Sequence, residues 1–369
     1  MSQLNISDNA QNTLVIVNLE SMSVKHNVPV GKKPYPVDMV RSNIVFVSTR
    51  DEYFIQPVNV QNGVAEEAIP LEHKPRSTTS HKTKALALVS GADKALTTVI
   101  DTGTMNVLFT VGSGRTDTRR DYGGGLACGH PFWGNNDEII HLDRIERRVE
   151  IYDYQSKDLL DSINLPTSAH HVEKVGEYYY LICEGNRESL VAPSIMQFKI
   201  AKGKIDVLTN QFLPIPQTSL DKTGGHHLAV DESRSKVYVG TADSHLFTLS
   251  SNNLSIENCI NSGKGCGHVT ICSEIGVGVT TNHSDTEMTI FDLSSGSKTG
   301  SITISSSATS NKKTQGHTSK WFPDTEKLIT SAAQDGKVLE IDPVAQSITR
   351  EVSLPEAYLI QGCFSSLFA

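Results

Sequence analysis

An all-β fold is what this sequence predicts, and three observations carry the prediction. Short runs rich in Val, Ile, Thr and Tyr alternate apolar with polar residues along the whole chain. No 12-residue window holds a 3.6-residue apolar period, so long helices are not expected. The runs fall into groups that recur along all 369 residues, each group opening with a similar turn.

The runs justify their elements in order. "NTLVIVNL" (12–19), "NIVFVSTRD" (43–51), "KALTTVID" (94–101) and "RVEIYDY" (148–154) each read as a strand followed by a turn. "EYYYLICEG" (177–185), "SKVYVGTAD" (235–243), "MTIFDL" (288–293) and "KVLEIDP" (337–343) continue the series. Between them lie turns such as "ADSH", "NHSD" and "AQDG". Group starts fall near Pro36, His81, His130, His171, His227, His268, His317 and Cys363, in steps of 45, 49, 41, 56, 41, 49 and 46 residues. Four short strands at that period are the signature of propeller blades. The last start leaves room for one strand, "CFSSLF", which completes a blade made by residues 4–31 and so removes a sheet edge. The expectation is a single β-propeller domain over 1–369 with eight blades. Seven is the alternative, should residues 81–112 not form a blade.

The stretch "NTLVIVNLESMSVKHNVPVGKKPYPVDM" resembles a YVTN-type propeller repeat: a strand, a turn, a strand ending "VPVG", then the next inner strand. That resemblance implies the fold and leaves function open, because one fold hosts many activities.

Composition narrows the function. A formal net charge of −8, with no basic cluster beyond Arg119–Arg120 and Lys312–Lys313, argues against a nucleic-acid partner. No apolar run is long enough for a membrane span. "MSQLNISDNAQ" is not a signal peptide, so the expected compartment is the cytoplasm as written, or the periplasm where a leader has been removed. Six cysteines are too sparse for a disulfide scaffold. Cys128 and Cys266 read as buried residues, disulfide partners or soft ligands; Cys183, Cys259 and Cys272 read as core. Walker, dinucleotide-binding, nucleophile-elbow and haem-attachment motifs are all absent.

The histidines carry the chemistry. "ACGHPF", "SAHHVE", "GGHHLA", "GCGHVT" and "QGHTSK" place His130, His171, His227, His268 and His317 at the same phase of successive groups, and "TSHKTK" adds His81. In a propeller the first strand of each blade is innermost, so matching phases converge. These six are the expected metal ligands, since neutral imidazole suits zinc, copper, iron and nickel. Successive side chains alternate on an extended strand, so one member of each His–His pair is expected to face inwards. His170, His226, His283 and Cys363 are additional candidate ligands or partners of ligands. The competing reading is that these histidines only bond neighbouring blades. Long loops at 111–128, 183–196, 212–225 and 301–316 place Arg119, Arg120 and Arg187 as candidate contacts for an anionic substrate.

Three functions follow from this reading. The first is a transition-metal enzyme, an oxidoreductase or lyase acting on a small substrate. The histidine-lined propeller is similar to that of nitrous oxide reductases, thiocyanate dehydrogenases and carotenoid cleavage oxygenases, a resemblance that implies copper or iron. The second is a metal carrier, resembling periplasmic zinc chaperones of the AztD type, although the histidine-rich tail of that family is missing here. The third is a non-catalytic interaction scaffold. The expected cofactor is accordingly copper, iron or zinc, and the expected partner is a small molecule or the metal itself.

Overall fold

The computed structural model describes residues 3–8, 11–116, 126–306 and 316–354, together with the backbone of a strand at 365–367. The chain is an all-β, eight-bladed propeller with no α-helix among the described residues. It divides into two compact units, Met1–Pro29 with His226–Ala369, and Val30–Gly225.

The first unit holds four blades. Blade 1 joins both ends of the chain: Gln3–Asp8, Thr13–Asn18 and Ser23–Pro29 are completed by Ser365–Leu367. The C-terminal strand runs antiparallel to the first, pairing Gln3 with Leu367, Leu4 with Ser366 and Asn5 with Ser365. Blade 6 comprises Gly225–Asp231, Lys236–Thr241, His245–Ser250 and Ile256–Asn261. Blade 7 comprises Cys266–Cys272, Val277–Asn282, Glu287–Asp292 and Lys298–Thr303; blade 8 comprises Ser319–Phe322, Lys327–Ala332, Lys337–Asp342 and Ser347–Ser353. In blades 6 to 8 the middle strands are rich in β-branched and aromatic residues and buried on both faces, while the fourth strand is mostly exposed or half-buried. The core is layered between blades. Val279, Met288 and Ile290 pack against Leu328, Leu339 and Ile341, and Leu4 and Ile6 pack with Ile329 and Val338.

The second unit holds the other four. Blade 2 spans Pro34–Arg41, Ile44–Thr49, Phe54–Asn59 and Val64–Ala65, with Ile69–Pro70 also on the third strand. Blade 3 spans Pro75–Ser80, Leu86–Gly91, Thr97–Asp101 and Asn106–Val111. Residues 81–112 therefore belong to a regular four-stranded blade, and the seven-blade alternative falls. Blade 4 spans Phe132–Trp133, Ile139–Asp143, Arg148–Tyr152 and Leu159–Asn164; blade 5 spans Ala169–Val175, Tyr178–Cys183, Ser194–Ala201 and Lys204–Phe212.

One group boundary is corrected. His81 was expected to open the first strand of blade 3, but that strand begins at Pro75 and ends at Ser80. His81 lies just past its far end, where Nδ1 accepts the backbone N–H groups of Thr83 and Lys84, and Nε2 bonds Asp137 at 2.9 Å. Residue type matched the repeat there while register did not. The five described cysteines are free thiols, and Cys259 is exposed rather than in the core. No helix is long and apolar enough to cross a membrane among the described residues.

Candidate metal centre

The first strands of blades 3, 5 and 7 share a defect at their start. In blade 5 Ala169 pairs with Cys183 and His171 with Ile182, so His170 is bulged out of register. In blade 7 Cys266 pairs with Asn282 and His268 with Thr281, which leaves out Gly267. In blade 3 the residue left out is Arg76. A bulge breaks strict alternation and re-aims a side chain. Consecutive residues can then present to the same side, which an ideal strand forbids. Hence His170 and His171 both approach His130, with ring centroids 5.2 and 5.7 Å from it. His226 and His227 hold the same second and third places of the first strand in blade 6. His317, two residues before Ser319 opens its strand opposite Thr330, is anchored through its carbonyl oxygen, which accepts from Thr281 Oγ1 at 2.9 Å.

In the first unit four imidazoles converge. His226, His268, His283 and His317 each offer a ring nitrogen, and these four atoms all lie within 4.8 Å of one another. His226 comes from blade 6, His317 from the approach to blade 8, and His268 and His283 from blade 7. His283 sits on the turn after the second strand, with its backbone N–H on Gly265 O and ring Nε2 3.0 Å from His317 O. The ring packs directly over Gly267, where an added Cβ would fall 2.2 Å from Cε1 and Nε2 of His283. The glycine of "GCGHVT" thus makes room for a ligand from the same blade. Burial lowers the pKa of His283 to about 4 against the opposing hydrogen bond to His317 O, so the ring is neutral, the form that ligates. The thiol of buried Cys266, two residues before His268, is pushed up to about 11 by burial and stays protonated.

Around a tetrahedral ion at 2.0–2.1 Å, ligand nitrogens sit roughly 3.3 Å apart. Contraction of the four rings onto one ion therefore takes small side-chain rotations. The set contains imidazole alone, which fits zinc, copper, iron or nickel and does not fit calcium or magnesium. His226 joins the four, and His227, expected as the inward member of its pair, stacks on His268 with centroids 3.8 Å apart.

The other candidates are placed as follows. In the second unit, Nδ1 of His170 is 2.6 Å from Glu184 Oε1, and Arg144 donates to Glu184 Oε2. Burial, and next the charge of Arg76, lower the pKa of His171 to about 4. Arg187 donates from Nε and Nη2 to the carbonyl oxygens of Thr223 and Lys222, which ties down its own loop. Arg119, Arg120 and Cys363 lie outside the described residues. Two buried guanidiniums were missed from the sequence, Arg76 and Arg144. Strand position was the available signal for Arg76: it is second in its strand, where blades 5 and 6 carry His170 and His226.

No family model matches the chain, and no curated protein matches it. Solved structures do. The chain is similar to dihydro-heme d1 dehydrogenase NirN in complex with DHE, with a TM-score of 0.72 and 9% identity over 98% of this chain and 74% of that one. It is similar to apo AztD from Citrobacter koseri, with a TM-score of 0.69 and 11% identity over 99% and 97% of the two chains. Hydrazine synthase from Kuenenia stuttgartiensis matches with a TM-score of 0.59 and 15% identity over 79% and 93%. At these identities the likeness establishes the β-propeller fold and nothing narrower.

Proposed function

We propose that this protein binds one transition-metal ion through His226, His268, His283 and His317 and carries it as exchangeable cargo. The convergence of four ring nitrogens within 4.8 Å, drawn from three blades, is the observation that supports the reading. Four imidazoles fill a tetrahedral shell, as a zinc or cuprous ion prefers, and leave no position for substrate. Three of the four rings are only partly buried, which gives the ion a path in and out. The AztD-like fold is consistent with carriage, the zinc-chaperone resemblance being the second of the functions expected above.

A metalloenzyme is the second reading, favoured by one feature: His227 stacks on His268 beside the four, a further imidazole able to hold substrate or shuttle a proton. An iron or cupric ion with more than four positions would make that arrangement catalytic.

Elemental analysis and calorimetric titration of untagged protein test the proposal. The expected result is one zinc or copper per chain with Kd below about 1 μM, and a loss of about 100-fold or more in affinity for both His268→Ala and His317→Ala. Sub-stoichiometric metal with no change in those variants would overturn it. An iron centre with an optical or paramagnetic signal selects the enzyme.

A further inference from the structure

The second unit carries a different chemistry. Arg76 and Arg144 are both buried, 1% and 5% exposed; Glu184, at 1%, is the carboxylate whose charge acts on Arg76, while buried Asp143 accepts from Ser113 and from the backbone N–H groups of Ile145 and Glu146. Glu184 is committed on both oxygens, one to Arg144 and one to His170. A carboxylate accepts, so Nδ1 of His170 carries the proton in that 2.6 Å contact. Arg76 Nη2, 3.3 Å from the same Nδ1, therefore meets an N–H and gains no acceptor there. Its remaining bond runs from Nη1 to Cys128 O. Among the described residues Arg76 forms no ion pair, and Nε of Arg76 and Nε of Arg144 are both buried without a hydrogen-bond partner. Arg50 adds a third positive charge nearby. Glu173 reaches His171 at 3.7 Å but is 41% exposed, and its charge is screened by water.

Burying a guanidinium without a counter-charge costs several kcal/mol. Burial and the neighbouring Arg144 and Arg50 lower the pKa of Arg76 to about 9, which still leaves it charged at neutral pH. The surplus of positive charge also argues against a divalent ion on His170, which would add to it. Partly exposed His130 and His171 flank His170, giving a small ligand a way in past imidazole rings.

We propose that Arg76, with Arg144, His130 and His170 around it, forms a binding site for a small monoanion whose two oxygens match a guanidinium fork. Carboxylates of small organic acids and inorganic oxyanions share that geometry. The site stands on the second unit alone and does not depend on the metal reading.

The test uses metal-stripped, full-length protein titrated with sodium formate and sodium nitrate at constant ionic strength, read by calorimetry and by Tm, with chloride as the unforked control. A saturable 1:1 response to formate or nitrate, at least tenfold stronger than to chloride, is expected; which oxyanion responds identifies the source. His268→Ala should bind the anion unchanged, separating this site from the metal centre. Arg76→Met should abolish the response. Should that variant fail to fold, Glu184→Gln remains decisive: it removes the buried negative charge that acts on Arg76, so anion affinity should rise several-fold, whereas a merely structural cluster would show no gain. No saturable response in the wild type, equal response to chloride, or unchanged affinity in Glu184→Gln overturns the proposal.

Discussion

At Gly267 the candidate metal centre turns on a missing methyl group. An alanine there would place its Cβ 2.2 Å from two atoms of the His283 ring, so the ring must swing away from His317. Gly267→Ala should therefore lower metal affinity at least tenfold and cost about 1–3 kcal/mol, as overpacking does. Calorimetric titration reads the first effect and thermal unfolding of the metal-free protein the second; unchanged affinity would mean that His283 is not a ligand. Part of this centre was legible from the sequence. His268 and His317 stood at matching phases of the repeat, and His283 stood in the turn that the strand count places on the same side. The choice of His226 over His227 was not legible, because adjacent residues of one strand look alike in the sequence while only the fold sets which ring reaches the other three. A pattern of alternating residues carries no mark of where one residue drops out of register. The reading of His81 failed for the related reason that a residue type was matched in place of a strand position, and Arg76, which holds the position, is not a histidine.

The hairpins between third and fourth strands show what the repeat conserves at the level of the element. Asp342 Oδ1 accepts the N–H groups of Val344 and Ala345, at 3.0 and 2.8 Å. Asp292 does the same for Ser294 and Ser295, and Asp101 for Gly103 and Thr104. Asn18 accepts from Glu20 and Ser21. These side chains close the turn by standing in for a backbone acceptor, which is why "IDP" and "FDL" were readable as strand ends. Asp342→Ala should cost up to about 1 kcal/mol, the net worth of such hydrogen bonds, and Asp342→Asn should cost less because the amide oxygen still accepts. Equal loss in both variants, read by thermal unfolding, would assign the effect to the Asp342–Lys327 ion pair instead. Blade 1 offers a second element-scale prediction. Leu4 and Asn5 are fully buried, and both pair with the C-terminal strand. Truncation before Cys363 should expose that edge, lower Tm by about 5 °C or more and promote aggregation. The blade count was legible because β patterning and turn residues recur with the period. Where strands begin was less so, since the opening strands of blades 2, 3, 5 and 7 are bulged.

For the whole molecule, acid should act in two stages, and the sign of each is fixed by how burial and hydrogen bonding move particular groups. Burial lowers the pKa of His141 to about 4 and that of His73 below its ordinary value. Each of these side chains is neutral in the fold, with ring contacts to Thr97 and to Thr98. A histidine whose folded pKa is depressed contributes stability that is complete above about 6.5, the unfolded value, and is lost as pH falls towards the folded one. Carboxylates that accept backbone N–H groups act lower down. Backbone N–H groups of Ser156, Ile205, Ser295 and Ala345 hold Asp153, Asp161, Asp292 and Asp342 below the usual carboxylate range. Their contribution is complete above about pH 4 and disappears as pH drops through the depressed values. Tm of the metal-free protein, measured from pH 8 to 3, should therefore be level down to about 6.5, decline gently to about 4 and then fall steeply. His141→Gln should reduce the first decline, which His73, His171 and His283 share, and leave the second, while combined Asp153→Asn, Asp292→Asn and Asp342→Asn should blunt only the second. A single acid transition that neither set of variants moves would show that these groups do not govern the response, and that the net charge of −8 or the ion pairs at the blade rims do.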